Sequence, residues 1–217
     1  MAEARDPFGM ALDGVRSRLR RGELRPGAAL VVGDLAAALK VSVTPVREAL
    51  CRLTGEGLVE ERRGRGFYAA GLEAEVLEEL FWLHGAYVDL ALQARSRRRE
   101  AQPRAPIRFM AAQPQAERQP GDGARLAADV EVFWSELVKA GRHRAMTSAY
   151  LRVSDRLAVV RLAEIELLGD VREELEGLQA LSLSGDVIAL QSAAFDYHSR
   201  RQGLIEMIAT FIYARDG

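Results

Sequence analysis

Two groups of polar side chains in the first third of the chain are of types that bind nucleic acid. Ser42, Thr44 and Arg47 fall close together, and three arginines lie between residues 62 and 65. A guanidinium can donate two parallel hydrogen bonds to the N7 and O6 atoms of guanine, and hydroxyl groups can bind phosphate oxygens. These residue types favour contact with DNA if the fold presents them on one surface.

The elements that must position these side chains are two helices and a hairpin. Apolar residues spaced three and four apart predict a helix at about 32–39, and a turn over 40–42 follows it. We expect the next helix to begin at Thr44-Pro45, because threonine caps free amides and proline fits the first helical position. Strand patterns at 58–61 and 67–70 flank the arginine-rich segment, which would then form the tip of a small wing.

The rest of the chain has helical periodicity. Prolines and glycines over 97–123 predict a loop with one short helix at about 107–118. The fold class is therefore mainly α, with a winged helix-turn-helix at 1–71 followed by an all-α bundle of about six helices at 72–217. The other predicted helices are 7–22, 72–96, 124–140, 143–168, 170–183 and 186–213.

Composition narrows the function classes. Residues 1–70 hold 12 basic and 9 acidic residues, whereas the remainder holds 18 and 22, so a mildly basic head precedes an acidic body. The chain has one cysteine, no apolar run of membrane length and no apolar signal core. These features predict a cytoplasmic protein without disulfides. The chain has no GxSxG, Walker or dinucleotide motif, so we do not expect an enzyme.

The ordered spacing of one set of residues resembles the DNA-binding head of GntR-type bacterial transcription regulators. The helical body resembles that of the FadR-like branch, through Phe133-Trp134, Lys139-Ala140-Gly141 and Gly185-Asp186. The residues of the head that carry the resemblance are Pro26-Gly27, Leu30, Leu35-Ala36, Leu39, Val41-Ser42, Thr44 to Leu50, Leu53, Gly57-Leu58-Val59, Gly64 and Gly66-Phe67.

The resemblance implies that the second helix of the motif enters the major groove. Ser42, Val43, Thr44 and Arg47 then contact DNA, with Arg47 as the guanine reader. Val43 departs from the arginine that family members commonly have, and it could touch a thymine methyl instead. The alternative for Arg47 is an ion pair on a solvated face.

The wing adds three more predicted DNA contacts. Arg62, Arg63 and Arg65 would reach the adjacent minor groove or the backbone, and the alternative is that they only solubilise the hairpin. The resemblance also implies a homodimer, because one head covers only a few base pairs and specific affinity usually needs two heads on a symmetric operator.

The resemblance further implies an effector pocket in the helical body. Many FadR-like bodies hold a divalent metal there, and the matching ligand positions in this chain are Val130, Trp134, Leu175 and Tyr197. We therefore predict that the family-type metal site is lost and that no cofactor is bound. The pocket would take a more apolar effector than the family's usual carboxylates, or its core would be filled. The predicted pocket residues are His84, Val130, Trp134, Leu175, Tyr197 and His198.

These inferences converge on a ligand-responsive repressor that acts as a cytoplasmic, nucleoid-associated homodimer on a short palindrome. The alternative is a ligand-independent DNA-binding or architectural protein with a filled helical domain. Two roles are open for His84 in the same way. It is either a polar anchor at the pocket wall or a core histidine whose hydrogen bonds are satisfied.

Overall fold

The computed structural model describes residues 6–99 and 122–214. Contacts divide the chain into two units, Met1–Glu73 and Ala74–Gly217, and each has its own hydrophobic core. The predicted short helix at 107–118 lies outside the described residues.

The first unit contains three helices and a three-stranded antiparallel sheet with the strand order β1-β3-β2. Its register pairs Val59 with Ala69 and Leu30 with Phe67. The elements are α1 Pro7–Arg20, β1 Ala29–Leu30, α2 Val32–Leu39, α3 Val43–Gly55, β2 Val59–Arg62 and β3 Gly66–Ala69.

The amphipathic pattern of α1 explains the core of this unit. Asp6 caps α1 by accepting hydrogen bonds from the amides of Phe8 and Gly9, both at 3.1 Å. One face of α1 then buries Val15 and Leu19 against α3. Close approach to α2 requires Gly14, since a Cβ there would lie 2.5 Å from Leu39 Cδ2.

The structure confirms the winged helix-turn-helix and corrects its details. The helix expected to begin at Thr44-Pro45 begins at Val43, with Ser42 as the N-cap residue, and no side chain caps its amides. The strand β1 is an addition, because two residues are too few to give a periodic signal. The first helix ends at Arg20 rather than at residue 22.

The second unit is entirely helical within the described residues. The helix α4 packs against α5, α6, α9 and α10, and α5 packs in addition against α7 and α8. The helices are α4 Ala74–Arg99, α5 Asp122–Ala140, α6 Arg144–Arg156, α7 Ala158–Leu167, α8 Val171–Ser184, α9 Val187–Gln202 and α10 Ile205–Ala214.

Two long predicted helices are each wrong by one break. The segment 143–168 divides at Leu157 into α6 and α7, and 186–213 divides at Gly203–Leu204 into α9 and α10. Leu157 is buried and apolar, so its type gives no stop signal, and packing of α7 against α5 and α10 redirects the chain there. Among the described helices, none is both long and apolar enough to cross a bilayer.

Candidate nucleic-acid interface and buried polar cluster

The turn between α2 and α3 exposes the predicted DNA-contacting residues of the first unit. Ser42, Val43, Thr44 and Arg47 are all exposed, at the N-terminal end of α3. Lys40, which ends α2, adopts a left-handed conformation with φ of 56°. Because no side chain caps α3, its first backbone amides remain available to an anion, as phosphate binding at a helix N-terminus requires.

Arg47 does not form the ion pair of the alternative interpretation, in which Glu48 or Glu56 would be its partner. Glu56 instead pairs with Arg16 at 2.8 Å and with Arg52 at 2.8 Å. Within residues 6–99 and 122–214, Arg47 forms no hydrogen bond or ion pair. Arg52, in the last turn of α3, is therefore paired with a carboxylate. Arg47, near the exposed N-terminal end of the helix, has no partner among the described residues.

The three wing arginines differ in their surroundings. Arg62 is the last residue of β2, not part of the tip, and it donates to Glu60 at 3.1 Å while its guanidinium lies 4.1 Å from the centre of the Tyr68 ring. Arg63 and Arg65 lie on the tight turn between β2 and β3, which Gly64 and Gly66 allow through positive φ. Both side chains at the tip are exposed.

All six residues of the predicted effector pocket are buried in the second unit. The Trp134 ring centre lies 5.9 Å from that of His84, 4.9 Å from that of Tyr197 and 5.5 Å from that of His198. Val130 and Leu175 belong to the same hydrophobic cluster as Trp134 and Tyr197. The structure thus brings residues from α4, α5, α8 and α9 into one aromatic and imidazole-rich core.

A chain of hydrogen bonds fixes the tautomers of the two buried histidines. His198 Nδ1 lies 2.6 Å from the Ala194 carbonyl oxygen, which can only accept, so Nδ1 carries the hydrogen. The other nitrogen of a neutral His198 then accepts from His84 Nδ1 at 2.7 Å. This leaves His84 Nε2 to accept from the Tyr150 hydroxyl at 3.1 Å and from Arg161 at 3.4 Å. Both imidazoles have partners on both nitrogens.

Burial keeps both imidazoles neutral. It lowers the pKa of His198 to about 4, and the nearby guanidinium groups of Arg201 and Arg161 contribute to this shift. The pKa of His84 is also held well below its usual range by burial, with added repulsion from His198, Arg161 and Arg201. The neutral tautomers of the hydrogen-bond chain are therefore the forms present near pH 7.

Two buried arginines flank the histidine pair, and residue types alone did not identify them. Arg161 on α7 donates to the carbonyl and hydroxyl oxygens of Ser154 at 2.9 and 3.1 Å, and so satisfies a carbonyl at the end of α6. Its guanidinium is also 3.9 Å from Glu131. Arg161 therefore links the broken helix pair α6–α7 to the polar core.

Arg201 forms the second buried ion-pair group. It is 2.9 Å from Glu164 and 2.7 Å from Glu174, and its guanidinium lies 3.3 Å from the centre of the Tyr197 ring. Although it lies on an amphipathic helix, Glu164 is therefore not a solvated carboxylate, since it is 2% exposed. A signal was present in the sequence, because Arg201 follows Tyr197 by four residues on the same helical face.

A groove at the surface of the second unit reaches one of these side chains. A groove of about 290 Å³ between α4 and α9 includes His198 at its wall but none of the other five predicted pocket residues. Trp134 Nε1 is one of the buried polar atoms without a hydrogen-bond partner among the described residues, and its side chain is fully enclosed. An enclosed indole N–H without an acceptor costs free energy that a ligand oxygen could recover.

The donor set does not fit a metal of the FadR-like type. The four matching positions offer no carboxylate or imidazole, and His84 and His198 bond each other instead of converging on a third point. Across the described ranges, no group of three or more His, Cys, Asp or Glu side chains could hold a metal ion.

Comparison with known proteins bears on both units. Residues 10–69 match the family described as "Bacterial regulatory proteins, gntR family". The chain is 33% identical to the Nta operon transcriptional regulator of Aminobacter aminovorans over 137 residues, and this aligned stretch covers 63% of the chain. The match spans 65% of that relative, just under two thirds of its length.

Two solved structures share the fold along almost the whole chain. E. coli McbR/YncC superposes with a TM-score of 0.64 at 17% identity, over 93% of this chain and 98% of its own. A putative GntR transcriptional regulator from Rhodococcus sp. RHA1 superposes with a TM-score of 0.67 at 19% identity, over 91% of this chain and 96% of its own. At these identities the likeness establishes the fold alone.

Proposed function

Because residues 10–69 match the gntR family of bacterial regulatory proteins, we propose that this chain is a transcription repressor that binds a short palindromic operator as a homodimer. Its action takes place in the cytoplasm on the bacterial nucleoid, and it involves no catalysis. The observation that carries the proposal is the N-terminal end of α3, where the reading positions and the uncapped amides face solvent together.

The exposed groups divide into specificity and affinity roles. Arg47 has no competing partner among the described residues, so its guanidinium is free to bond guanine N7 and O6. Ser42, Thr44 and the α3 amides bind phosphates, and Val43 offers an apolar contact to a thymine methyl. Arg63 and Arg65 extend the contact surface from the wing.

The helical unit supplies ligand control in this proposal. An aromatic effector with an acceptor oxygen, more apolar than a carboxylate, would bond Trp134 Nε1 and rest against Tyr197 and Leu175. Such a ligand represses or induces only through its different affinities for the DNA-competent and DNA-incompetent states.

A specific observation favours the second candidate, a ligand-independent DNA-binding protein. The histidine pair, Tyr150 and Arg161 satisfy one another, and the groove between α4 and α9 is lined by only one of the six predicted pocket residues, His198. A filled core needs no effector. Thermal unfolding in the presence of aromatic metabolites separates the two candidates, because a ligand that binds only the folded state raises Tm with its concentration.

The DNA-binding proposal is tested with Arg47→Ala. The operator is first located by footprinting the DNA upstream of the gene. We expect Arg47→Ala to weaken binding to it by about 10- to 100-fold, the equivalent of losing one bidentate base contact. Arg52→Ala is the matched control, since Arg52 is on the same helix but bound to Glu56. Gel shifts against competitor DNA measure both, and circular dichroism checks folding. Equal binding by Arg47→Ala and the parent would contradict the α3 assignment.

A further inference from the structure

The groove between α4 and α9 has the dimensions of a small-molecule site. The two helices run antiparallel along it, since Gly85 lies beside His198 and, one turn further along α4, Asp89 accepts a hydrogen bond from Gln191. The volume of about 290 Å³ is about twice that of a ~150 Å³ cavity that holds a benzene ring. The groove therefore has room for one aromatic ring that carries a short side chain.

Two exposed aromatic side chains border the groove, one from each helix. Trp82 of α4 is 63% exposed and Phe195 of α9 is 71% exposed. Trp82 comes three residues before Gly85, and Phe195 comes three residues before His198, so in antiparallel helices they flank the Gly85–His198 contact from opposite directions. The floor between them stays open because Gly85 has no side chain, and a Cβ there would come within 3.2 Å of the His198 ring.

A single carboxylate gives the groove its charge. Asp89 accepts hydrogen bonds from Gln93 at 2.6 Å and from Gln191 at 3.4 Å, and both donors are neutral amides. Within residues 6–99 and 122–214, Asp89 forms no ion pair, and no lysine or arginine lines the groove. Burial lowers the pKa of His198 to about 4, so the imidazole adds no positive charge near pH 7. The groove therefore attracts cations and repels anions.

We infer that this groove is a binding site for a small aromatic amine in its protonated form. The ring of the amine lies over Gly85 between Trp82 and Phe195, and its ammonium group donates hydrogen bonds to Asp89. At a rise of about 1.5 Å per residue, Asp89 lies about 6 Å beyond Gly85 along α4, a distance that a short aliphatic linker spans. Cation–π attraction to the Phe195 ring adds to the charge-assisted hydrogen bond.

This site differs from the core pocket of the proposed function in its place and its chemistry. In the core, the enclosed Trp134 Nε1 is a donor that selects a ligand with an acceptor oxygen. In the groove, Asp89 is an acceptor that selects a ligand with a charged donor. His198 is the one residue of the predicted pocket that also lines the groove. Binding of an amine in the groove requires neither DNA nor an occupied core.

The test measures binding of phenylethylamine to the full chain by isothermal titration calorimetry at pH 7, where the amine is protonated. We expect a dissociation constant of about 1 mM or below, as a ligand of this size can reach. Phenylpropionate has the same ring and a similar length but the opposite charge. It should bind at least about 10-fold more weakly, because it meets Asp89 with a like charge.

Three variants assign the binding to the groove. Asp89→Asn keeps the shape of the side chain, and it should weaken amine binding about 10-fold and remove the preference for the amine over the carboxylate. Phe195→Ala should weaken binding of the amine about 3- to 10-fold through the lost ring contact. Asp196→Asn is the matched control, at an exposed carboxylate of α9 that does not line the groove, and should bind the amine as the parent does.

The outcomes separate this site from the proposed function. A parent that does not bind phenylethylamine would overturn the inference, as would happen if a second copy of the chain covered the groove. Equal affinities of the parent for the amine and the carboxylate would also overturn it, and so would equal losses in Asp89→Asn and Asp196→Asn. If the parent binds no specific DNA but selects the amine through Asp89, the groove site stands and the proposed function fails.

Discussion

The arginines that matter most in the two units have opposite surroundings. In the first unit, the side chains of Arg47, Arg63 and Arg65 are exposed and have no partner among the described residues. In the second unit, Arg161 and Arg201 are buried and bonded to Ser154, Glu164 and Glu174. The same residue type therefore acts in one unit as a free donor and in the other as part of the core.

This difference teaches that burial decides what an arginine does here. An exposed guanidinium keeps its donors available and pays no desolvation cost, so it can exchange water for DNA. A buried guanidinium must find acceptors within the fold, because an unpaired buried charge is strongly destabilising. Mutations should therefore affect stability in one unit and DNA affinity in the other.

The largest effect is expected from removing the buried guanidinium. Arg201→Leu leaves Glu164 buried without its cation and should lower the free energy of unfolding by about 3–5 kcal/mol. Urea unfolding followed by tryptophan fluorescence measures this, since both tryptophans, Trp82 and Trp134, lie in the second unit.

Two variants bracket that result. Arg200→Leu removes the neighbouring exposed pair with Asp170 and should cost no more than about 1 kcal/mol. The double variant Arg201→Leu with Glu164→Leu should be more stable than Arg201→Leu alone. Equal losses in Arg200→Leu and Arg201→Leu would break the distinction between exposed and buried arginines.

A smaller loss should accompany acidification of the histidine pair. Because the pKa of His198 falls to about 4 in the fold, the unfolded chain takes up its proton first as pH falls below about 6.5. Stability from this group is therefore full above pH 6.5 and declines by about 3 kcal/mol toward pH 4. Arg201, Arg161 and His84 face the same imidazole, and His84 acts in the same direction.

Unfolding curves from pH 4.5 to 7.5 test this decline. His198→Gln should show a shallower pH slope, by up to about 1.4 kcal/mol per pH unit. His143→Gln, at an exposed residue, is the control and should keep the slope of the parent. Identical slopes for the parent and His198→Gln would contradict the neutral buried imidazole.

The wing gives a smaller effect that sharpens the comparison within the first unit. Arg63→Ala and Arg65→Ala should each reduce the slope of log affinity against log salt by about 1, as the loss of one phosphate contact does. Arg62→Ala should change the slope less, because Glu60 and Tyr68 already hold this guanidinium. Titrations of operator DNA at several salt concentrations measure these slopes. A larger change in Arg62→Ala than in Arg63→Ala or Arg65→Ala would contradict this expectation.

The smallest effect concerns the backbone, where the units should behave alike. Lys40 in the first unit and Arg142 in the second have φ of 56° and 59°. Replacing either by glycine relieves left-handed strain and should raise stability by about 0.5 kcal/mol, since glycine's greater unfolded entropy offsets part of the gain. Differential scanning calorimetry of each variant measures the change. A loss of stability in Lys40→Gly would point to side-chain contacts that outweigh the backbone strain.

Local patterns were enough to predict the framework of the first unit. The helix at 32–39 is confirmed residue for residue, and the hairpin strands shift by one residue each. On α4, the apolar residues that recur at helical spacing are buried, namely Leu77, Leu80, Phe81, Val88 and Leu92. Helical periodicity records which residues face the core, so burial along one helix can be predicted without knowing its neighbours.

Long-range contacts were beyond those patterns. The breaks at Leu157 and Gly203 depend on where α7 and α10 pack, and the two-residue strand β1 exists only because β3 lies beside it. The residues of the candidate sites divide in the same way, into those that local patterns could identify and those that depend on long-range contacts. Arg47 could be singled out from its place in the motif, whereas the partners of Arg161, Arg201 and Glu164 come from other helices.

The sequence by itself determined the gntR-type winged head and the helical character of the body, because spacing, caps and apolar periodicity are local properties. Only the tertiary structure decided which polar residues are free and which are bonded. His84 and His198 are 114 positions apart, and it is their burial together that sets their tautomers and lowers their pKa values. Desolvation depends on every element packed around a group, and no local pattern contains that information.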